Sequence, residues 1–303
     1  MPTATTLPDE SGTDTAATPP DRTAIPTRRI DFGFGEVDLP RHFMNGEILA
    51  SHVVTVLSCL FPEGEDFFVR SVRNFRDQVT DPELAEQVRG FIGQEAIHGR
   101  EHRAFNRALA ELGYPVRFLD GRVRIGMGLL AKVTPARFQL AVTAALEHYT
   151  ATLAEILLET ELLDQDTQIE EVRELFYWHA VEENEHKAVA FDVLQQVSGS
   201  ERLRRNVMRI TTAGFLFAVV SGTLVSLATD PAARDISRLR SEFTELRENP
   251  ILSRRCVQRI RDYQRRGFHP DDHDTTELLD RWTERLFGEK GRLRTKLRGP
   301  KAA

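Results

Sequence analysis

The sequence predicts an all-α fold in which two helical hairpins are joined by one long connection. Three observations support this prediction. Apolar residues recur at helical spacing from about residue 48 to residue 197, and no strand-like alternation competes over that span. Proline, glycine and capping residues divide the span into four long helices. The turns within each pair of helices are short, which favours antiparallel neighbours.

The first hairpin is predicted over residues 62–112. The helix that begins at Ile48 meets Pro62, which is expected to kink or restart it because proline lacks the backbone N–H. The segment "TDPE", residues 80–83, then separates two helices, since Thr or Asp caps a helix and proline suits its first turn. The second helix is predicted to stop at Gly113.

The second hairpin is predicted over residues 135–197, with a short turn at residues 164–168. Pro135 stands in the first turn of its first helix. Its second helix is predicted to run without a break from about Ile169 to the end of the hairpin. Residues 113–134 connect the two hairpins, and their glycines leave the structure of this connection open.

Two hairpins joined by a long crossover are the topology of a ferritin-like four-helix bundle, which is the predicted architecture. The bundle, with an apolar fifth helix at 206–229, is predicted to fill residues 29–230. Residues 1–28 have almost no large apolar side chains and are predicted to form a disordered tail. Residues 231–303 are predicted to form a charged helical extension that ends in a basic tail.

Two Glu-x-x-His motifs occupy the apolar stripes, one in the second helix of each hairpin. Glu95 and His98 stand in "FIGQEAIHGREH", and Glu183 and His186 stand in "VEENEHKAV". A spacing of three places both side chains on one face of a helix, where they can converge on one ion. One such match arises easily by chance, but two at equivalent positions indicate a functional site.

Each hairpin also carries a single glutamate within an apolar stretch of its first helix. Glu65 and Glu147 lie about as far before the turn of their hairpins as the Glu-x-x-His motifs lie after it, so antiparallel packing brings them level. Two single glutamates with two Glu-x-x-His pairs are the ligand set of di-iron and di-manganese carboxylate bundles. The predicted metal ligands are Glu65, Glu95, His98, Glu147, Glu183 and His186.

Three further residues beside the motifs are candidate ligands or supporting residues. His102 lies one turn beyond His98, and His179 lies one turn before Glu183. Either histidine can bind a metal or orient a ligand through a hydrogen bond. Glu182 can replace or assist Glu183. The alternative to a metal site is a polar or solvent-exposed helix face, because buried carboxylates need compensation and the stripes themselves carry no basic residue.

Four blocks of the sequence resemble a bacterial family described as predicted metal-dependent hydrolases. These blocks are "LFPEGEDFFVRSVRNFRDQVTDPEL", "FIGQEAIHGREH", "LEHYTA" and "WHAVEENEHKAVAFDV". The resemblance extends over roughly residues 40 to 230. It implies a ferritin-like metal site on the six predicted ligands, and the description of the family implies a hydrolytic reaction.

The predicted ligands indicate two metal ions, with iron preferred, manganese as an alternative and zinc less suited. Hard carboxylates with one imidazole per metal favour Fe(II) or Mn(II). The main functional prediction is a di-iron oxidase or oxygenase that activates O₂ and acts on a small apolar or amphipathic molecule. A metal-dependent hydrolase and a non-catalytic metal-binding or storage protein are the two alternatives.

Residues 210–229 carry no charged side chain and are long enough to cross a bilayer, although many of them are Thr, Ser and Gly. They are predicted to form either a buried helix that covers the bundle or a membrane-associated helix. Arg202 and Arg209 precede this segment, which would place that side in the cytoplasm.

The net charge and the number of cysteines argue against several other classes of function. A net charge of −6 at pH 7 argues against nucleic acid as a partner. Cys59 and Cys256 are too few for a disulfide framework or a cysteine metal site, and the first residues lack a secretory signal, so a cytoplasmic location is predicted. The expected partner is a small-molecule substrate, and the oligomeric state is left open.

Overall fold

The structure, a computed structural model, describes residues 24–298. Most of this part of the chain is helical, and it contains no β-strand beyond an isolated antiparallel bridge between Ile30 and Leu297. The prediction of an all-α fold is therefore confirmed. Most of the predicted disordered tail and the end of the basic tail lie outside the described residues.

The helices follow one another with short connections, and several connections contain a single 3₁₀ turn. In chain order the helices are α1 (Ile48–Arg73), α2 (Pro82–Glu111), α3 (Val116–Val133), α4 (Ala136–Thr160), α5 (Leu163–Asp166), α6 (Glu170–His186), α7 (Val189–Val197), α8 (Glu201–Ala228), α9 (Ile236–Leu246), α10 (Arg254–Asp262) and α11 (Thr276–Phe287).

Helix α1 continues through Pro62 instead of restarting after it. A proline leaves the carbonyl four residues earlier, here that of Ser58, without its helical donor. Asn106 of α2 supplies the donor, because its Nδ2 donates to the Ser58 carbonyl at 3.2 Å. The expected restart of the helix at Pro62 is therefore wrong, since a side chain of the neighbouring helix takes the place of the missing N–H.

The predicted ends of α2 are confirmed. The Asp81 side chain accepts a hydrogen bond from the Glu83 backbone N–H at 2.9 Å and so caps the first turn. At the other end the helix stops before Gly113, whose φ of +86° is favoured by glycine and ends the helical path.

The structure settles the open connection and changes two expectations about the second hairpin. The connection between the hairpins, which the sequence left open, is the long helix α3. The turn predicted at residues 164–168 overlaps the short helix α5. The helix predicted from Ile169 to Val197 is wrong, because a turn at Lys187 and Ala188 divides it into α6 and α7 directly after His186. Neither turn residue is proline or glycine, so no sequence signal marks the break.

Helix α1 packs along α2, and α4 packs along α6 and α7; α1 and α4 also contact each other. Two apolar clusters fill the interior. One contains Phe105 and Trp178, and the other contains Phe67, Phe91 and Phe191. On α1 and α2 the predicted metal ligands fall between residues of the first cluster and residues of the second. In the second hairpin, Glu183 and His186 fall between the first-cluster residues of α6 and the second-cluster residues of α7. The candidate site is thus a polar layer enclosed by two apolar layers.

Helix α8 is long and apolar enough to cross a membrane by length and composition, a property that core helices of soluble proteins share. One of its faces packs against α1 and α4 and buries Val207, Met208 and Thr211. The opposite face is exposed, so α8 is not the fully buried fifth helix that was one of the two expectations.

The charged extension packs back onto the bundle. Helix α10 contacts α4, and α11 contacts α6. Farther along, the Arg298 backbone N–H donates to the Arg29 carbonyl at 2.8 Å, beside the bridge between Ile30 and Leu297. This pairing holds the segment before α1 in place, which matters for the metal centre described below.

We expect Asn106→Ala to lower the free energy of unfolding by about 1–3 kcal/mol, because a buried carbonyl loses its donor. The loss should be smaller in a Pro62→Ala background, where the alanine N–H can donate to the Ser58 carbonyl. Urea unfolding of the four proteins of this double-mutant cycle measures the difference. An equal loss in both backgrounds would contradict the compensation described for Pro62.

Candidate metal centre

The structure brings all six predicted ligands together in the middle of the bundle. Glu65 comes from α1, Glu147 from α4, and one Glu-x-x-His pair comes from each of α2 and α6. None of the six residues is more than 4% exposed. Gly99 of α2 makes room for one of them, since a Cβ there would lie 3.0 Å from Glu65 Oε2. The solvent-exposed alternative for these residues is excluded by their burial.

Two glutamates stand between the two histidines of the motifs. Glu95 Oε1 lies 3.6 Å from His98 Nδ1 and 3.1 Å from His186 Nε2. Glu183 Oε1 lies 3.7 Å and 3.8 Å from the same two nitrogens. Carboxylates in this position can bridge two cations, one beside each imidazole. The outer positions are taken by Glu147, whose Oε2 is 3.2 Å from His186 Nε2, and by Glu65 on the other side.

Among the six ligands and His179, three groups of donor atoms can each hold an ion, since the atoms of each group lie within 4.8 Å of one another. Glu95 belongs to two of these groups and His98 belongs to two, so the three groups form one continuous centre. The groups are Glu95–Glu147–His186, Glu95–His98–Glu183 and Glu65–His98–His179.

The inward donor atoms are suited to bind a cation, because most of them form no hydrogen bonds with one another. Both oxygens of Glu65, Glu95 and Glu147, together with one oxygen of Glu183, are buried and have no hydrogen-bond partner among the described residues. The inward nitrogens His98 Nδ1 and His186 Nε2 are also buried without a hydrogen-bond partner among these residues. Unpaired buried charges are costly, and metal coordination removes that cost. The four glutamates carry a formal charge of −4 when ionised, which two divalent cations (+4) would balance.

Burial and mutual repulsion raise the pKa values of two of the four carboxyl groups. Burial, reinforced by Glu95, raises the pKa of Glu65 well above its usual range. Burial and the charge of Glu183 raise the pKa of Glu147 to about 8. These carboxyl groups hold protons at neutral pH unless positive charge replaces them.

The pKa values of the imidazoles of the two motifs are also raised, which for a histidine favours the charged form. Burial lowers the pKa of His98, but its hydrogen bond with Glu182 and the negative charge of Glu95 outweigh burial and raise the pKa to about 10. For His186, too, burial is outweighed by the neighbouring carboxylates, led by Glu147, and the pKa is raised well above its usual range. The centre attracts positive charge at both imidazoles.

The outward nitrogens of the two histidines are held by one hydrogen-bonded chain. His98 Nε2 lies 3.0 Å from Glu182 Oε2, and His186 Nδ1 lies 2.8 Å from the side-chain oxygen of Gln94. An imidazole that donates from its outward nitrogen keeps the lone pair of its inward nitrogen for a metal. Glu182 is therefore placed to orient His98, and its side chain is not among the converging donor groups.

Arg28 joins the two ends of this chain. Its guanidinium donates to Glu182 Oε1 at 3.0 Å and to Glu185 at 2.6 and 2.7 Å. Glu185 in turn accepts from Gln94 Nε2 at 2.7 Å. A single arginine thus supports His98 through Glu182, and His186 through Glu185 and Gln94.

A second chain decides the roles of His102 and His179. The Asn106 amide donates to the Ser58 carbonyl, so its oxygen faces Ser58 Oγ, which must donate to it at 2.7 Å. Ser58 Oγ can then accept from His102 Nδ1 at 2.9 Å, which leaves His102 Nε2 to accept from His179 Nδ1 at 2.8 Å. Both ring nitrogens of His102 are thus used in hydrogen bonds, which places it as a support for His179.

His179, in contrast, presents a lone pair to the centre. Its Nε2 lies 2.8 Å from Glu183 Oε1 and 3.7 Å from Glu65 Oε1. Burial and the neighbouring His98 lower the pKa of His179, so the imidazole is neutral at pH 7. A neutral imidazole beside two carboxylates suits a metal ligand, and His179 adds a second imidazole to the Glu65 side of the centre.

Aromatic rings cover the imidazoles. The Phe91 ring contacts His186, and the Trp178 ring contacts His98, with centroid separations of 4.9 and 4.8 Å. Phe61 contacts His179 at 4.5 Å and is the half-buried member of the three. These rings keep water away from the imidazoles and lower the local dielectric constant.

Sequence reasoning missed the role of Arg28, which it placed in the disordered tail. Residues 25–27 lie against α2, where a Cβ at Gly90 would meet Ile25 and a Cβ at Gly93 would meet Thr27. The Gln94 side chain also donates to the Pro26 carbonyl at 3.0 Å. Two glycines three residues apart on one helix face were the available signal that a chain segment crosses this helix.

A second polar group lies away from the centre and carries no metal assignment. Asp230 Oδ2 accepts from Arg41 Nε at 3.1 Å and lies 2.8 Å from His42 Nε2 and 3.0 Å from His52 Nε2. The guanidinium already supplies the positive charge at this carboxylate. His52 also contacts Ser226 Oγ at 2.6 Å, but Ser226 is fully buried and cannot reach a substrate as a nucleophile.

We expect Arg28→Met to weaken metal binding by about 10- to 100-fold, because Glu182 and Glu185 lose the charge that holds them against the ligands. The neighbouring Arg29 is exposed and makes no ion pair with another residue of the range 24–298, so Arg29→Met is the matched control. Competition with a chromogenic chelator measures both affinities. Equal affinities for the two variants would contradict the role given to Arg28.

We expect the affinity of the chelator-treated protein for Mn²⁺ to rise with pH from about pH 6 to about pH 9. Groups with raised pKa values, such as Glu147 at about 8 and His98 at about 10, hold protons that a cation must displace. Lower pH strengthens that competition and higher pH relieves it. Calorimetric titration measures this dependence, and an affinity that falls with pH would contradict it.

Comparison with known proteins gives one match. The sequence profile of the family described as predicted metal-dependent hydrolase matches residues 26–274. None of the curated proteins and none of the solved structures matches the chain. The matched region begins two residues before Arg28 and contains every residue of the candidate metal centre. The chain therefore belongs to the family of predicted metal-dependent hydrolases.

Proposed function

We propose that the protein is a hydrolase that uses two divalent cations held by four buried glutamates and three histidines. The observation that carries this proposal is the set of inward carboxylate oxygens and imidazole nitrogens that have no hydrogen-bond partner in the described chain. The family to which the chain belongs supports hydrolysis as the reaction. The sequence alone favoured O₂ activation by a di-iron centre, but the family match supports the hydrolytic alternative instead.

The ligand assignment follows from the distances. We assign Glu65, His98 and His179 to one cation and Glu147 with His186 to the other. Glu95 and Glu183 lie between the imidazoles and are assigned as bridging carboxylates. Carboxylate and imidazole donors without thiolates suit iron or manganese better than zinc.

The arrangement of helices supports a ferritin-like bundle as the finer description of the fold. Helices α1 and α2 form one hairpin, α4 and α6 form the other, and α3 lies in the crossover between them. In bundles of this kind each Glu-x-x-His pair comes from the second helix of its hairpin and the single glutamates come from the first helices. The chain places its candidate ligands in the same way.

Bound cations would supply Lewis acidity, polarising the bond to be cleaved and making water a stronger acid. The chain's own residues prepare the site for that chemistry. The outward hydrogen bonds of His98, His179 and His186 hold each imidazole with a lone pair directed inward. Phe61, Phe91 and Trp178 keep bulk water from the imidazoles, so charge that develops near them is weakly screened.

The donor set gives a specific reason to keep O₂ activation as a second candidate. Carboxylate-rich centres with two cations in a helical bundle occur in both di-iron and di-manganese proteins. Anaerobic loading with Fe(II), followed by exposure to O₂, separates the candidates. Rapid O₂ consumption with new near-ultraviolet absorption would favour oxidation, and its absence with active ester or phosphoester cleavage would favour hydrolysis.

We expect about two metal ions per purified chain and a metal-dependent hydrolysis of one class in a panel of chromogenic esters, phosphoesters and amides. Glu95→Ala removes a bridging carboxylate and should reduce the metal content to below one ion per chain and abolish the activity. Glu111→Ala, at an exposed position of the same helix, is the control and should change neither.

Elemental analysis and the substrate panel separate the outcomes. Two metal ions with no hydrolysis and no O₂ consumption would favour the storage alternative. Wild-type metal content in Glu95→Ala would overturn the ligand assignment itself.

A further inference from the structure

Helix α3 presents an apolar face to the solvent. Phe118, Ile125, Leu129 and Val133 follow one another at spacings of seven, four and four residues, so they lie along one side of the helix. Their side chains are between 52% and 70% exposed. The opposite side of α3 packs against α1. A helix of a soluble protein normally turns such a stripe inward, so this outward stripe needs another explanation.

Helix α8 continues the same exposed surface. Its outward residues are between 54% and 69% exposed. The two helices are neighbours, because Arg122 of α3 donates to Ser221 Oγ of α8 at 2.7 Å and a Cβ at Gly222 would lie 3.5 Å from Leu119. We call this surface the α3–α8 face. Its outward apolar residues on α8 are Ile210, Leu216, Phe217, Val220 and Leu224.

The exposed charged side chains of α3 and α8 are of one sign. Every charged residue that is exposed on these two helices is basic, although the whole chain has a net charge of −6. The two acidic residues are engaged locally: Asp120 is half-buried beside Cys59, and Glu201 pairs with Arg204 at 2.6 Å. The exposed basic residues are Arg117, Arg124, Lys132, Arg202 and Arg209.

We propose that the α3–α8 face docks the protein on the surface of an anionic phospholipid bilayer. Helices that lie in a membrane interface combine an apolar face with lysine and arginine at its edge, so that side chains enter the acyl boundary while the cations meet lipid phosphates. The α3–α8 face has both features on two adjacent helices.

The other face of α8 argues against a helix that leaves the bundle to span the membrane. Val207, Met208 and Thr223 are buried against the protein, and Ser226 Oγ contacts His52 at 2.6 Å. Insertion of α8 across a bilayer would break these contacts, whereas docking keeps them. Association of two copies through the same patch would bring the arginine-rich edges together, because a two-fold interface joins identical surfaces.

The proposal predicts that the full-length, metal-loaded protein floats with vesicles of phosphatidylcholine containing one quarter phosphatidylglycerol. It should bind vesicles of phosphatidylcholine alone roughly tenfold more weakly, and added salt should release it from the anionic vesicles. Leu129→Asp and Phe217→Asp should each weaken the binding by roughly tenfold or more. Phe243→Asp, at a 56% exposed position of α9 among charges of both signs, is the matched control and should bind like the wild type.

Circular dichroism and metal content should be unchanged in all three variants, because the substituted side chains are exposed and far in sequence from the ligands. The proposal does not depend on the reaction, since flotation needs no catalysis. It would be overturned if the wild type stayed unbound with anionic vesicles, or if Leu129→Asp and Phe217→Asp bound as well as Phe243→Asp. A dimer that these two substitutions dissociate would assign the face to a second copy, and resistance to carbonate extraction would assign α8 to a membrane span.

Discussion

Neutralising four buried carboxylates is the constraint on which the rest of the structure depends. Glu65, Glu95, Glu147 and Glu183 lie at the centre of the molecule with their oxygens turned toward one another, and no lysine or arginine reaches them among the described ion pairs. Such a layer would be strongly destabilising without cations. On the proposed assignment folding and metal binding are linked, because ions that bind the native centre stabilise the folded chain by mass action.

The apolar layers and the aromatic rings follow from the same constraint. A cluster of phenylalanines lies on each side of the polar layer, and Phe61, Phe91 and Trp178 lie against the imidazoles. Exclusion of water strengthens the attraction between the carboxylates and the cations that they are proposed to hold. Because water is excluded, it cannot replace a ligand that points in the wrong direction. Each donor atom must therefore be oriented by the protein itself. The hydrogen-bonded chains behind His98, His179 and His186 supply that orientation.

The convergence of the candidate ligands could be predicted from the sequence because their spacing reflects helix geometry. A separation of three residues places Glu95 beside His98, and an antiparallel hairpin brings Glu65 level with them. The supporting residues could not be predicted in the same way. Arg28 acts through Glu182 and Glu185, more than 150 residues away along the chain, and no periodicity links such distant positions. Its position depends on how residues 25–27 cross α2.

The helix boundaries also differ in whether nearby residues or distant contacts determine them. Asp81 and Gly113 mark the ends of α2 through their own backbone preferences, and both were read correctly. At Pro62 the local preference was overruled by Asn106, a residue 44 positions later whose side chain replaces the missing donor. At Lys187 the helix breaks at residues with no local tendency to break it. The Lys187 ammonium donates to Thr275 Oγ1 at 3.0 Å, which ties this turn to the segment before α11.

The central claim is that the polar layer holds two cations. Anomalous diffraction from crystals of the Mn²⁺-loaded protein tests it most directly. The account predicts two peaks about 3.5–4 Å apart, with Glu95 and Glu183 between them. A single peak, peaks at another group such as His42, His52 and Asp230, or no peak within the four-helix core would contradict it.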